Sequence, residues 1–444
     1  MKHFAGFANA HWGVLPKAGL DEGARERLWT GAKRMTDLAK PLTLPCGQVI
    51  KNRLAKSAMS EALGTLDNKP TEALVTLYGR WAEGGIGLCI TGNVMIDRRA
   101  LGEPGNVAVQ DDSQLALLRA WSQAGTRHGT QLWMQLNHPG KQVPKGLNAE
   151  SVAPSAVPFD KKLERFFATP RELTDAEIED IIGRFGHAAA VAKEAGFTGV
   201  QIHGAHGYLV SQFLSPHQNQ RDDAWGGDAQ RRKRFVVRVY EAMRREVGPA
   251  FPIGIKLNSA DFQRGGFTEE ESLDVIDTLA SLGIDLIEIS GGTYEAPAMS
   301  GMRTAKDSTR SREAYFLEFA EKVRKRATTP LMVTGGFRSS GAMNEALASG
   351  ALDLVGLARP LAIDPEFPNK LLAGGEVVSA VSPRRTGIKA IDRMAMLEVT
   401  WYERQLKLMG QGKDPRPDEN LHCAFLKILL SGGIGLWKTR RLRA

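Results

Sequence analysis

The chain has 444 residues, of which 42% are hydrophobic, and a formal net charge of +8. It holds no run of 18 apolar residues, which excludes a membrane-spanning helix, and Met1–Pro16 lacks the charged-then-apolar pattern of a secretion signal. Cys46, Cys89 and Cys423 lie far apart and form neither a disulfide framework nor a metal-binding spacing, which points to a reducing cytoplasm. The excess charge gathers in Arg231-Arg232-Lys233-Arg234 and in Lys438-Thr-Arg-Arg-Leu-Arg443. Such runs read as solvated faces. No aromatic residues interleave them as in a strip that binds single strands, so nucleic acid is not an expected partner. A small ligand carrying phosphate is.

In chain order, residues 1–38 read as an extension, with Met35 as an alternative start. Pro41–Leu54 reads as a hairpin turning at Pro45-Cys-Gly47, placed to plug the base of a barrel. Eight apolar runs follow: Leu54–Ser60, Gly87–Ile96, Thr130–Asn137, Gly199–His206, Pro252–Asp261, Leu286–Gly292, Leu331–Gly336 and Asp353–Pro360. Near-continuous apolar runs suit strands buried on both faces. Helical patterns lie between them, most clearly Thr174–Ala195, Glu269–Leu282 and Arg312–Lys325. The first opens on the capping-box sequence Thr174-Asp-Ala-Glu177, and Gly84, Gly196, Gly283 and Gly350 sit just past helix ends. Eight alternating units predict an α/β fold, a (β/α)8 barrel over residues 39–375, with its chemistry at the strand C-termini. The loop from His138 to Arg171 exceeds an ordinary connection and reads as a substrate-side flap. Residues 376–444 read as a helical extension with a basic tail, patterned over Ile388–Leu408 and Leu421–Leu430. Apolar surface there favours a homo-oligomer.

Two places concentrate chemistry. Strand seven ends Gly335-Gly336-Phe337-Arg338, and strand eight ends Gly356-Leu-Ala358-Arg359. The loops after these two strands form the usual phosphate site of a barrel. Glycines admit an anion close to the backbone, and Arg338 and Arg359 add charged donors. Strand four ends His203-Gly-Ala-His206-Gly-Tyr208. Two histidines three apart and a tyrosine, hydrogen-bonding side chains concentrated at one strand end, mark a site. The same spacing suits a metal, although no third ligand stands nearby, or a buried histidine pair.

These residues resemble the old yellow enzymes, the NADH:flavin oxidoreductases and ene-reductases, over residues 39–372. The likeness rests on Asn52-Arg53-Leu-Ala-Lys-Ser57-Ala58-Met59-Ser60, Gln135-Leu-Asn137-His138-Pro-Gly140, His203 through Pro216, and Arg221-Asp222-Asp223-Ala-Trp225-Gly226-Gly227. The resemblance implies FMN, with its phosphate at Gly336, Phe337, Arg338, Ala358 and Arg359, and with Gly335 and Gly356 among the further cofactor-binding residues. The peptide groups of Ala58 and Met59 would lie along its ring, and Ser57, Asn93 and His203 are further cofactor-binding residues. Ser60 would face flavin O4, where the family has threonine or cysteine. Gln135 would face the pyrimidine edge. Lys256 stands where the family commonly has arginine, and it supplies the charge without the bidentate fork. Ala58 replaces a frequent proline.

The implied reaction moves hydride from NADH or NADPH through the flavin to the C=C of an electron-poor alkene, in a ping-pong cycle. His203 and His206 would stabilise the substrate oxygen, and Tyr208 would protonate the α-carbon, a phenol of pKa about 10 being protonated at neutral pH. No metal is expected, no cysteine cluster for an iron–sulfur extension, and no second dinucleotide motif. The readings left open are an NADH oxidase or dehydrogenase with another acceptor, a non-redox phosphate-binding lyase or isomerase, and a scaffolding barrel. Specificity is expected from the strand-three loop, from Tyr294 and from the tail.

Overall fold

The computed structural model describes residues 37–293, 295, 316–382, 396–421 and 424. All of them belong to the second of two units, Met1–Met35 and Thr36–Ala444. Tyr294, Cys423, the basic tail, the proposed start at Met35 and the opening of the Arg312–Lys325 pattern lie outside the described residues. Leu38, expected in the extension, is fully buried, and its carbonyl accepts from Arg53 N.

Eight parallel strands close on themselves: β1 Leu54–Lys56, β2 Leu88–Ile90, β3 Gln131–Asn137, β4 Gly199–Gly204, β5 Ile253–Asn258, β6 Leu286–Ser290, β7 Leu331–Thr334 and β8 Leu354–Leu357. Val355 of β8 pairs with Leu54 of β1, and Gln201 of β4 with Gln135 of β3, so the ring has no open edge. Every strand falls inside a predicted run. The second run breaks in the middle. Thr91 turns its hydroxyl to Gln135 N, and Gly92 N donates to Glu61 and Tyr78. Pairing resumes with β3 at Val94–Met95, which leaves Asn93 at the rim.

The helices are α1 Glu72–Glu83, α2 Leu115–Gly125, α3 Asp175–Glu194, α4 Leu209–Leu214, α5 Ala229–Val247, α6 Glu269–Ser281, α7 Leu317–Arg324, α8 Ser340–Ala348, α9 Arg359–Ile363, α10 Phe367–Leu372 and α11 Met396–Gly410. The Thr174–Glu177 capping box is present, and Thr268–Glu271 forms another at the head of α6. Gly196, Gly283 and Gly350 take positive φ after their helices, while Gly84 does not. No described helix is long and apolar enough to cross a membrane.

The hairpin forms where expected, Leu42–Thr43 against Val49–Ile50, with Gly47 at φ 86°. Leu42, Leu44 and Ile50 pack into the barrel base with Leu88, Leu286, Leu354 and Trp133. Trp133 fills the interior because its neighbours have no side chain. A Cβ on Gly199 would lie 2.5 Å from its Nε1, and one on Gly254 would lie 2.8 Å from its ring. Burying about 150–250 Å² of indole stabilises by roughly 4–6 kcal/mol before entropy is counted. This packed base leaves the C-terminal ends of the strands as the open side.

The basic run at the head of α5 is not a simple solvated face. Arg232 is buried and donates to Leu214 O, Gly227 O and Glu271, while Lys233 reaches Asp274 and Thr278. Arg231 pairs with Asp228, and Arg234 lies over the Trp225 ring. Acids on α6 and the helix cap neutralise what charge counting reads as free.

Candidate active site

At the mouth, side chains that would be sealed in a plain barrel are half-exposed. They are Ala58, Met59 and Ser60 after β1, Asn93 after β2, His206 after β4, Thr334, Gly335 and Gly336 at the end of β7, and Ala358 and Arg359 after β8. Nearly all were expected from sequence, and the barrel brings them around one opening. Two places do not match as simply. Arg338 is exposed, with its carbonyl accepting from Ser379 N. Gly356 faces the interior, where a Cβ would collide with Thr334 Oγ1 and crowd Ser57 Oγ.

His203 ends β4 and is buried. Its ring stands edge-on to His206, centroids 5.3 Å apart, and 4.7 Å from the Tyr208 ring. Ala205 N donates to His203 Nδ1 at 3.4 Å, which leaves the proton of a neutral ring on Nε2. His206 has a φ of 61°. That left-handed turn is held because its N–H donates to Asn258 Oδ1 at 3.2 Å and its carbonyl accepts from Gln142 Nε2 at 3.1 Å. Strain fixed by its surroundings in this way is frequent at sites. His206 Nε2 lies 2.7 Å from Ser290 Oγ. Burial, then the neighbouring His206 and Lys256, hold His203 well below the usual range. Burial, then Lys256, push His206 down to about 3. Both rings are therefore neutral at physiological pH, each with one N–H to give. Asn93 Nδ2 donates to the Tyr208 hydroxyl at 3.3 Å, and Asn137 Nδ2 to Asn93 Oδ1 at 3.2 Å. Among the described residues no His, Cys, Asp or Glu group is arranged to hold a metal.

Beneath the mouth runs a buried polar chain that sequence reading did not foresee. Gln135 Nε2 donates to Gln201 Oε1 at 2.8 Å, and Gln201 Nε2 to Glu288 Oε2 at 2.7 Å. Glu288 Oε1 accepts from Thr334 Oγ1 at 2.7 Å and lies 3.0 Å from Lys256 Nζ, while Thr334 and Ser57 share a hydrogen bond of 2.7 Å. Lys256 is thus paired, as a buried lysine must be, and the partner is Glu288 of β6. The available signal was a lone carboxylate in the apolar run Leu286-Ile-Glu-Ile.

A second unforeseen group lies beside Ser60. Its hydroxyl donates to Glu103, and Glu61 accepts from Tyr78 while pairing with the buried Lys56 at 3.6 Å. Arg359, the first residue of α9, donates from Nη1 to Glu398 of α11 at 3.2 Å. On the opposite rim, the strand-three loop is tied down. Lys141 Nζ lies 3.5 Å from Glu295 and 4.3 Å from the Phe159 ring centre, and Glu295 accepts from Asp160 N and Gln218 Nε2.

A sequence profile for the family described as NADH:flavin oxidoreductase / NADH oxidase matches residues 37–376. Over 364 residues the chain is 39% identical to the NADH-dependent flavin oxidoreductase iccE of Talaromyces variabilis, covering 77% of this chain and 87% of that one. It is 33% identical over 341 residues to an NADPH dehydrogenase of a Geobacillus species, covering 75% and 93%. Among solved structures, the old yellow enzyme homologue from Zymomonas mobilis superimposes over 78% of this chain and 95% of that one, with a TM-score of 0.65 at 24% identity. At that identity the likeness concerns the fold.

Proposed function

Because the chain belongs to the NADH:flavin oxidoreductase / NADH oxidase family, we propose that it reduces the activated C=C bond of a small electron-poor alkene, such as an enone, enal, maleimide or nitroalkene. Its cofactor is FMN and its electron donor NADH or NADPH. When bound, FMN supplies hydride transfer from the nicotinamide and then to the acceptor. The residues present suit such a group. The paired positive φ values of Gly335 and Gly336, 126° and 95°, precede α8 and open the backbone toward an anion. Arg359 has only one donor directed at Glu398, which leaves its others for phosphate. Ala58, Met59 and Ser60 offer a half-exposed edge, with the Gln135–Gln201–Glu288–Lys256 chain beneath it.

One observation carries the alkene reading. Two neutral imidazoles stand edge-on at the end of β4, with a phenol 4.7 Å from the first. His203 and His206 hold the carbonyl or nitro oxygen of the substrate, where negative charge grows as hydride reaches the β-carbon. Donors fixed in advance favour that charge, and removing one such donor costs about 10²–10³ in rate. Tyr208 gives its proton to the α-carbon, held in place by Asn93. Held below their usual range, both imidazoles enter the site neutral, as N–H donors placed in advance rather than as cations. The strand-three loop, clamped through Lys141 and Glu295, supplies the substrate-side wall.

Anaerobic turnover of 2-cyclohexenone tests the reading: one cyclohexanone formed per NAD(P)H consumed is expected. NAD(P)H consumption only in air, with no ketone formed, makes dioxygen or another acceptor the physiological one.

A further inference from the structure

His203 and His206 are each met at one ring nitrogen, and not at the same one. Ala205 N donates to Nδ1 of His203, whereas Ser290 Oγ lies 2.7 Å from Nε2 of His206. Ser290 is the last residue of β6 and is buried. Its carbonyl accepts from Ser259 N at 2.7 Å, which fixes the strand end. Directly opposite it on β5 stands Asn258, the residue that holds His206 N. Asn258 is itself tied from Nδ2 to Asp261 Oδ1 and Gly292 O, at 3.1 Å each. One strand pair therefore fixes the His206 backbone with one side chain and its ring with the side chain opposite.

A neutral imidazole has one N–H and one lone pair on its two nitrogens. The proton between Nε2 and Ser290 Oγ therefore belongs either to the ring or to the serine. Among the described residues the Ser290 hydroxyl has no other hydrogen bond. A ring proton donated to it would leave the serine's own proton buried without an acceptor, which is the costly arrangement. A serine proton donated to Nε2 leaves only a spare oxygen lone pair. The ring proton then sits on Nδ1. That nitrogen bonds to no described residue, and the His206 side chain is half-exposed at the mouth. Nδ1 is thus the nitrogen left for a ligand.

We propose that Ser290 is a positioning residue for the reaction: its hydroxyl donates to His206 Nε2 and so keeps the ring proton on Nδ1, where the substrate oxygen meets it. The inference rests on the proposed alkene reduction, in which that oxygen takes up charge. His203, whose Nδ1 is occupied, gives its proton from Nε2. The two rings therefore present opposite nitrogens, and the group that selects each tautomer lies outside the pair. For His203 it is a backbone N–H just after β4, and for His206 a side chain at the end of β6. Without the serine, the His206 proton is free to sit on Nε2. The ring would then turn a lone pair toward an oxygen that is gaining negative charge, the opposite of what the step needs. Ser290 acts through His206 and moves no proton in the reaction.

The test uses Ser290→Ala and Ser290→Thr with two readouts. The first is nitrogen-15 NMR of the histidine side chains of the full chain at neutral pH, with and without FMN. The His206 signals are assigned by their absence from His206→Asn. The wild type and Ser290→Thr are expected to show a neutral His206 with its proton on Nδ1, and Ser290→Ala to show that proton moved to Nε2 in whole or in part. The second is rapid mixing of the reduced, FMN-loaded protein with 2-cyclohexenone. Ser290→Ala should slow reoxidation by about tenfold or more, within the 10²–10³ that loss of a whole donor costs. Flavin reduction by NAD(P)H should change less, and Ser290→Thr should recover most of the loss. A wild-type His206 with its proton on Nε2, a tautomer that Ser290→Ala leaves unchanged, or an enone rate that Ser290→Ala leaves intact overturns the proposal. A wild type that does not reduce the enone sinks the alkene reading itself, while the NMR readout still decides whether Ser290 sets the tautomer.

Discussion

Lys256 Nζ lies 3.0 Å from Glu288 Oε1 inside the barrel, and both side chains are closed to water. The pair joins the β5 and β6 ends and is continued by Gln201 and Thr334. Removing one member leaves the other charged and unmatched. Lys256→Met is therefore expected to destabilise by about 3–5 kcal/mol. Adding Glu288→Leu to it should return much of that loss. Urea unfolding of the two variants measures both.

The paired histidines predict a loss specific to the alkene step. His203→Ala or His206→Ala should lower kcat/KM for an enone by about 10²–10³. Flavin content should be retained in His206→Ala. Rapid-mixing measurements of the two half-reactions separate this from a general defect, because flavin reduction by NAD(P)H should change far less than reoxidation by enone.

Tyr208→Phe keeps the ring and removes the proton. Reoxidation by the alkene should slow by about 10²–10⁴, the range of a positioned general acid. An unchanged rate would assign the proton to water.

Acid should unfold the site first. His203 is held well below its usual range and His206 at about 3, so the unfolded chain binds protons that the folded chain refuses. The contribution of the two histidines then falls as pH drops from about 6.5 toward 3 and is constant above that window. A His206→Asn variant should lose less on acidification, as read by thermal unfolding from pH 7 to 4.

At the phosphate end, Arg359→Ala should weaken FMN by roughly 10- to 100-fold, since a hydrogen bond to a charged group contributes about 1.5–3 kcal/mol. Titration of the FMN-free protein followed by flavin fluorescence reads the change.

The barrel was legible because each of its parts is local. Apolar runs, capping sequences such as Thr174–Glu177 and glycines after helices all report on their own segment. His203, His206, Tyr208 and the Gly335-Gly336 turn were legible for the same reason, since each lies at a strand end within one short motif. What escaped depends on register across strands or on distant segments. Lys256 meets Glu288 only because β5 and β6 pair with those two residues opposite each other. Glu398 reaches Arg359 only because α11 returns to the mouth. The run at Arg231–Arg234 was misread because counting charge says nothing of the carbonyls and acids that α5 turns it toward.

The central claim is tested most directly by the anaerobic absorption spectrum of the purified protein, titrated first with NADPH or NADH and then with 2-cyclohexenone. The account predicts a flavin band that bleaches with the nicotinamide and returns with the enone. A band that returns only when air is admitted would contradict alkene reduction, and a protein that stays colourless after incubation with FMN would contradict the flavin site itself.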